Sequence, residues 1–145
     1  MKPTQTAIFL LLFICLFSCQ EVQRKYGSKE KSQLEAFKKK EKFLMDTSIF
    51  YPGIGDSTNR PLFTQKINLV AADFEEVLNS GNPSEKAFQE KIGIGLDRFK
   101  GLYIDTEDRE RIAHYMEELM DIVGLESSGG ALNNFVYDSE IPGEL

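Results

Sequence analysis

The stretch TEDRERIAHYMEELMDIV, residues 106–123, determines the fold class of this chain. Its apolar residues recur at steps of three and four, which is the period of one face of an α-helix. Asp105 or Thr106 is a suitable N-cap, and Gly124 is a suitable end. The stretch therefore predicts an amphipathic helix that places one face in a core. That face consists of Ile112, Tyr115, Met116, Leu119, Ile122 and Val123.

Three segments before this helix have the same spacing of apolar residues. Residues 29–45 are rich in good helix formers, Pro61 after Asn59 is a suitable start for a second helix, and Asn82-Pro83 repeats that start signal for a third. A short element over residues 131–137 follows as a helix or a strand. We therefore expect an all-α fold, a small four-helix domain with a short C-terminal element.

Two details of this domain can also be predicted. Gly93 and Gly95 lie inside the third helix, where glycine is unfavourable, so close approach of a neighbouring helix is expected there. A ligand seated against bare backbone is the alternative. The segment Ile49–Gly55 is broken by Pro52 and two glycines, which predicts a buried connection whose aromatic residues close one end of the core.

The amino terminus has the features of an export signal. Lys2 precedes an eleven-residue apolar run, Ala7–Phe17, which is too short to span a membrane and has the length of a signal-peptide core. The run ends in Leu16-Phe17-Ser18-Cys19, which resembles the cleavage and lipidation site of bacterial lipoproteins. The resemblance implies removal of residues 1–18 and lipidation of Cys19. Plain secretion without a lipid is the alternative.

This interpretation defines the organisation of the mature chain. Residues 19–28 form a flexible tether, and residues 29–145 form one helical domain with its core at about 43–137. Two or three acyl chains on Cys19 would hold the protein on a membrane of the bacterial cell envelope, because one chain alone binds only reversibly. The membrane is thus the first expected partner, and the sequence leaves its identity and face open.

Cysteine and charge exclude several classes of function. The only other cysteine, Cys15, lies in the removed segment, which excludes disulfides and thiol chemistry. Residues 20–42 carry eight basic and four acidic side chains, whereas residues 43–145 carry eight basic and nineteen acidic ones. The acidic body argues against nucleic acid as a partner and is suited to a basic protein. The basic segment is a solvated linker or a contact for anionic headgroups.

The helix over residues 106–123 carries a polar stripe opposite its apolar face. Within it, Glu110, His114 and Glu118 have the side chains and spacing of weak candidate metal ligands. Because the stripe is the face that a packed helix shows to water, we expect no metal, no other cofactor and no catalytic residue. His114 is the only histidine, which further limits acid–base chemistry. The complete stripe is Glu107, Glu110, His114, Glu118 and Asp121.

The segment that follows this helix is a second candidate site. Its serines and glycines can form a nest of backbone N–H groups that binds an anion, although the lysine and spacing of a P-loop are missing. The alternative is a helix stop followed by a cap for the next element. The residues concerned are Glu126, Ser127, Ser128, Gly129 and Gly130.

The same segment carries a resemblance to a known family. Residues 117–130 with Leu132-Asn133-Asn134, together with Tyr51–Ile54 and Asp105–Asp108, resemble a bacterial domain-of-unknown-function family, number 4844. The resemblance implies a compact, mostly helical domain, and because no activity is attached to the family, it assigns no catalytic residue. We therefore predict a membrane-anchored, non-catalytic binding module of the cell envelope. The alternatives are a small envelope enzyme that uses carboxylates, with or without a divalent metal, and a purely structural lipoprotein.

Overall fold

The computed structural model describes residues 26–137, which form five α-helices, and the predicted all-α fold is confirmed. Two short 3₁₀ turns lie between the first two helices, at Thr47–Ile49 and Ser57–Asn59. Within the described residues the only β pairing is an isolated bridge between Asp46 and Tyr51. The helices are α1 (Ser28–Lys39), α2 (Arg60–Asn79), α3 (Glu85–Asp97), α4 (Thr106–Val123) and α5 (Ala131–Tyr137).

The predictions for the export signal, for Cys19 and for the tether up to residue 25 lie outside the described residues. Within residues 26–137, no helix combines the length and the apolar character that crossing a bilayer requires.

Local sequence sets most of the helix ends. The Asp105 carboxylate accepts a hydrogen bond from the Asp108 N–H at 2.8 Å, which confirms it as the N-cap of α4. Gly124 ends the same helix in the left-handed conformation, with φ at 61°. The cap of α3 is Ser84, whose hydroxyl accepts from the Ala87 N–H at 3.2 Å, so this helix begins just after the predicted Asn82-Pro83.

Helix α2 lies at the centre of the domain and packs against α1, α3 and α4. Its buried face includes Phe63, Ile67 and Phe74. Edge-to-face ring contacts continue from Phe63 to Phe43 and to Phe99, with centroids 5.7 and 5.5 Å apart. These aromatic pairs add specific geometry to the area that they bury, so the rings fix how the helices meet.

The close approach predicted at the third helix is confirmed at one of its two glycines. A Cβ placed on Gly95 would lie 2.5 Å from Cγ2 of Val70 on α2, whereas a Cβ on Gly93 would meet no atom within 4 Å. Gly95 therefore allows α3 to lie directly on α2, and Gly93 has no such role.

The first helix ends six residues before the predicted end at Met45. Lys40 leaves the helix with extended dihedral angles, and the Lys42 ammonium then donates to the carbonyls of Phe37 and Lys40, at 2.6 and 3.1 Å. This lysine is fully buried, and its ammonium adds hydrogen bonds at the helix end, where the Phe37 carbonyl also accepts from the Lys40 N–H at 3.2 Å. Met45, which the sequence predicts to lie on this helix, is exposed and lies beyond its end.

The connection from Phe43 to Asn59 differs from the prediction in one respect. Tyr51 is buried as expected, but Phe50 is 94% exposed and has a positive φ of 56°. Asp46 and Tyr51 exchange two backbone hydrogen bonds of 2.9 Å, which close a tight loop between them. Phe50 lies at the exposed tip of that loop, so it does not close one end of the core as predicted.

Candidate functional site

A groove of about 320 Å³ lies between α4, α5 and the loop that carries Phe50. Its rim includes two exposed aromatic side chains, Phe50 and Tyr137, the latter 78% exposed. The groove is lined by Ile49, Phe50, Tyr51, Glu107, Glu110, Arg111, Ala113, His114, Glu117, Leu132, Asn133, Val136 and Tyr137.

Helix α5 forms one wall of the groove and is attached at several points. The Arg109 guanidinium of α4 donates to the Phe135 carbonyl at 2.9 Å and lies over the Phe135 ring at 5.1 Å. The same ring packs edge-to-face on Phe99, with centroids 6.4 Å apart, and Leu132 is buried. The short element predicted over residues 131–137 is thus a helix held by α4 and by the core.

The serine and glycine segment, a candidate ligand loop, leads into α5. The Ser128 hydroxyl accepts from the Leu132 N–H at 3.3 Å, and the Ser127 hydroxyl accepts from the Gly129 N–H at 3.1 Å. Gln89 of α3 donates to the Ser127 carbonyl at 3.0 Å. These bonds are those of a helix start, and none of residues 126–130 lines the groove. Whether the loop also binds a ligand stays a prediction.

Tyr51 links the wall of the groove to the first turn of α4. Its hydroxyl donates to a carboxylate oxygen of buried Asp108, at 2.5 Å, and the Gly55 N–H donates to the other oxygen at 3.2 Å. Burial raises the pKa of Asp108, although both hydrogen bonds oppose the shift. Burial and the bond to Asp108 also raise the pKa of Tyr51.

Arg111 is the cationic side chain of the groove lining, and it is 5% exposed. Its guanidinium lies over the rings of Tyr51 and Tyr115, at 5.3 and 4.5 Å, and it contacts the Asp46 carboxylate at 3.3 Å. The hydrogen bond from the Ser48 hydroxyl, and to a smaller extent the positive charge of Arg111, hold the pKa of Asp46 below its ordinary value. The Nε of Arg111 has no hydrogen-bond partner among residues 26–137.

The polar stripe of α4 is divided between the groove and another contact. Glu107, Glu110 and His114 line the groove, whereas both oxygens of Glu118 accept from the Lys40 ammonium, at 2.9 and 2.8 Å. Asp121 is exposed to solvent.

Of the three candidate metal ligands, Glu110 and His114 line the groove, whereas Glu118 is engaged by Lys40. His114 Nε2 lies 3.9 Å from Glu118 Oε1, and Glu118 is already paired with Lys40. In the part of the chain that the structure describes, no three His, Cys, Asp or Glu side chains form a group that could hold a metal ion.

Sequence reasoning did not identify Phe50, Arg111 or Tyr137 as members of a site. Arg111 lies between two residues of the polar stripe and was not singled out. The available signal was the break at Pro52, which indicates a connection but not the helix beside which it lies. The exposure of the two aromatic rings depends on contacts between segments that are distant in sequence.

The fold has counterparts among known proteins. A family model described as "Domain of unknown function (DUF4844)" matches residues 25–140. The chain is 35% identical to a DUF3571 family protein from Acinetobacter baumannii AYE, whose crystal structure superimposes with a TM-score of 0.72. This similarity covers 79% of the present chain and 93% of the Acinetobacter chain. Among curated proteins, none matches the chain significantly.

Proposed function

Since the chain belongs to the DUF4844 family, a domain of unknown function, its own residues have to indicate a role, and we propose that it is a lipid-anchored binding module. In this proposal Cys19 carries the lipid in the bacterial cell envelope, and the groove beside α4 binds a partner without catalysis. The observation that carries the binding role is the groove with Phe50 and Tyr137 exposed on its rim.

Exposed aromatic rings at a groove support recognition of a partner. Large contiguous apolar patches are uncommon on monomeric proteins and often mark interaction sites, and aromatic residues are enriched at interfaces. Ile49 and Phe50 are consecutive exposed apolar residues, and both line the groove. A non-glycine residue at positive φ is uncommon, so the loop holds Phe50 outward at some cost in backbone energy.

The anchor is supported by the sequence of the amino terminus. The apolar run Ala7–Phe17 is followed directly by Ser18-Cys19, and the next segment is polar. The Tyr26 ring packs on Phe88 of α3, with centroids 5.6 Å apart, so the chain would reach the domain about seven residues after the lipidated cysteine. A flexible linker of that length reaches roughly 13–16 Å, so the domain would stay close to the membrane surface.

The rival function is a small envelope enzyme, and one observation favours it. Glu110, His114 and Arg111 converge in a concave groove, which is the geometry expected of a catalytic site. The three carboxylates of the lining, Glu107, Glu110 and Glu117, however, are all exposed, so none has the dry environment that would set one apart as an acid or a base. Asp108, the carboxyl group whose pKa burial raises, lies outside the lining and is bonded to Tyr51. Binding therefore fits the groove better than catalysis does.

The anchor is tested by metabolic labelling with palmitate in the native host. We expect Cys19→Ser to abolish labelling and to leave residues 1–18 attached, since the site of cleavage and lipidation is lost. Cys15→Ser is the matched control, because Cys15 lies inside the removed segment and its loss should change neither result. Labelling that persists in Cys19→Ser would refute the anchor.

The binding role is tested by placing a photo-crosslinking amino acid at Phe50 in intact cells. We expect a discrete cross-linked product, because Phe50 lies on the rim of the groove. The control is the same amino acid at Tyr103, which is 93% exposed and lies outside the groove lining. Equal products at both positions, or none at Phe50, would contradict a binding role of the groove.

A further inference from the structure

We propose that the groove binds a lysine or arginine side chain carried on a partly apolar segment of a basic protein. This inference rests on the proposed function, because it takes the groove to be the binding site, and it adds the chemical class of the partner. It combines the negative charge of the groove with its exposed aromatic rim.

The negative charge comes from Glu107, Glu110 and Glu117, which all line the groove. Neither Glu107 nor Glu110 forms an ion pair with a cation of residues 26–137, whereas Glu117 lies 3.4 Å from His114 Nδ1. The positive charge of Arg111 is already balanced by Asp46, at 3.3 Å. The groove therefore keeps an excess of negative charge that a cationic ligand would neutralise.

The aromatic rim adds a second requirement for the ligand. Lysine and arginine have an apolar stem and a charged head, so their stems can lie on Phe50 and Tyr137 while their heads reach the carboxylates. A cation over an aromatic ring is attracted electrostatically as well. Ile49 extends this rim and would contact an apolar neighbour of the basic residue.

The same charges argue against an anionic lipid surface as the occupant of the groove. Three carboxylates line it, and no lysine is among the lining residues. Two lysines at the end of α1 form ion pairs outside the groove: Lys38 pairs with Glu35 and Glu75, and Lys40, the residue after the helix, pairs with Glu118. A polybasic surface of the kind that binds anionic membranes does not occur at the groove.

The test measures the fluorescence anisotropy of labelled peptides with the full chain in non-ionic detergent micelles. One peptide alternates lysine, glycine and phenylalanine, and a second replaces each lysine by glutamate. We expect only the lysine peptide to bind, and its affinity to fall with added salt because the charges are near the surface. The double variant Glu107→Gln/Glu110→Gln should weaken binding about threefold to tenfold, since each exposed pair contributes little.

The matched control is Glu85→Gln/Glu90→Gln, which removes the same charge from α3. Both side chains are exposed and outside the groove, and Glu85 lies in a first helical turn as Glu107 does. We expect this control to bind the lysine peptide as the native chain does. Equal weakening by both double variants would show that net charge alone acts, and it would overturn the proposal.

The remaining outcomes separate the class of partner from the site. If Phe50→Ala weakens both peptides while Glu107→Gln/Glu110→Gln changes nothing, the groove binds but the cationic class is wrong. If only the lysine peptide binds and neither variant affects it, the class of ligand is right but the site is wrong, and the proposal is overturned. If the Cys19→Ser chain does not bind the lysine peptide but binds vesicles containing phosphatidylglycerol, and Phe50→Ala removes the vesicle binding, the occupant is a membrane and the proposal is overturned.

Discussion

Gly95 and Gly93 lie two residues apart in α3, yet only Gly95 lacks room for a methyl group. Val70, which a Cβ there would meet at 2.5 Å, is β-branched and has little rotamer freedom in a helix. We expect Gly95→Ala to lower the free energy of unfolding by about 1–3 kcal/mol. Gly93→Ala is the control and should raise it by about 0.5–1 kcal/mol through helix propensity. Urea denaturation measures both, and equal stabilities would contradict the packing described.

Lys42 is a buried cation at the end of α1, and its pKa responds to that position. Burial, and then the neighbouring charge of Lys40, lowers the pKa of Lys42 from 10.5 to about 8. Between these two pH values the unfolded chain binds more protons than the folded one. The free energy of unfolding therefore gains a contribution from Lys42 as the pH rises from 8 towards 10.5, and below pH 8 the contribution is constant.

The corresponding prediction compares the native chain with Lys42→Met as a function of pH. We expect the stability of the native chain relative to this variant to increase by about 2 kcal/mol between pH 7.5 and 9.5. Lys39→Met, which removes an exposed lysine of α1, serves as the control. Chemical denaturation at a series of pH values measures both stabilities, and a difference between the native chain and Lys42→Met that does not change with pH would contradict the proton linkage.

At the scale of elements, local signals predicted helices better than connections. The Asp105 cap and the Gly124 stop of α4 depend only on neighbouring residues, so the sequence identifies them. The end of α1 depends on Tyr115, which accepts from the Phe43 N–H at 2.7 Å across 72 positions of the chain. A periodic pattern carries no information about that contact, and the predicted helix therefore runs on to Met45.

The Tyr51–Asp108 hydrogen bond is the polar tie between the connection and α4. Tyr51→Phe leaves a buried carboxylate without one of its donors, so we expect a loss of about 1–3 kcal/mol in unfolding free energy. The double variant Tyr51→Phe/Asp108→Asn should lose less than the sum of the single variants, since both changes remove the same bond.

Thermal and urea denaturation of the four chains complete this cycle, and Tyr103→Phe is the control because that tyrosine is 93% exposed. Additive losses for Tyr51→Phe and Asp108→Asn would show that the bond does not couple the two elements.

At the scale of the whole molecule, the sequence predicted the helical domain but not its groove. The groove exists because the Asp46–Tyr51 bridge turns Phe50 outward and because Arg109 holds α5 beside α4 through Phe135. These contacts join segments that no local pattern relates. Part of the polar stripe of α4, interpreted as a solvated face, is consequently one side of a concave surface.

The distribution of charge along the chain supports the same picture of the molecule. Eight basic and four acidic side chains lie in residues 20–42, beside the proposed anchor, and the excess of acidic side chains lies in the body. An acidic body carried near a membrane would attract basic proteins at long range, an effect that weakens with ionic strength. The groove would then add the short-range contacts that select among them.

The proposed role depends first on Cys19 as the attachment point, and intact-mass analysis of the protein purified from its native membrane tests this most directly. We predict a chain that begins at Cys19 and carries the added mass of two or three acyl chains on that residue. A mass that includes Met1, or a chain cut nearby without acyl groups, would contradict the anchor and the envelope location together.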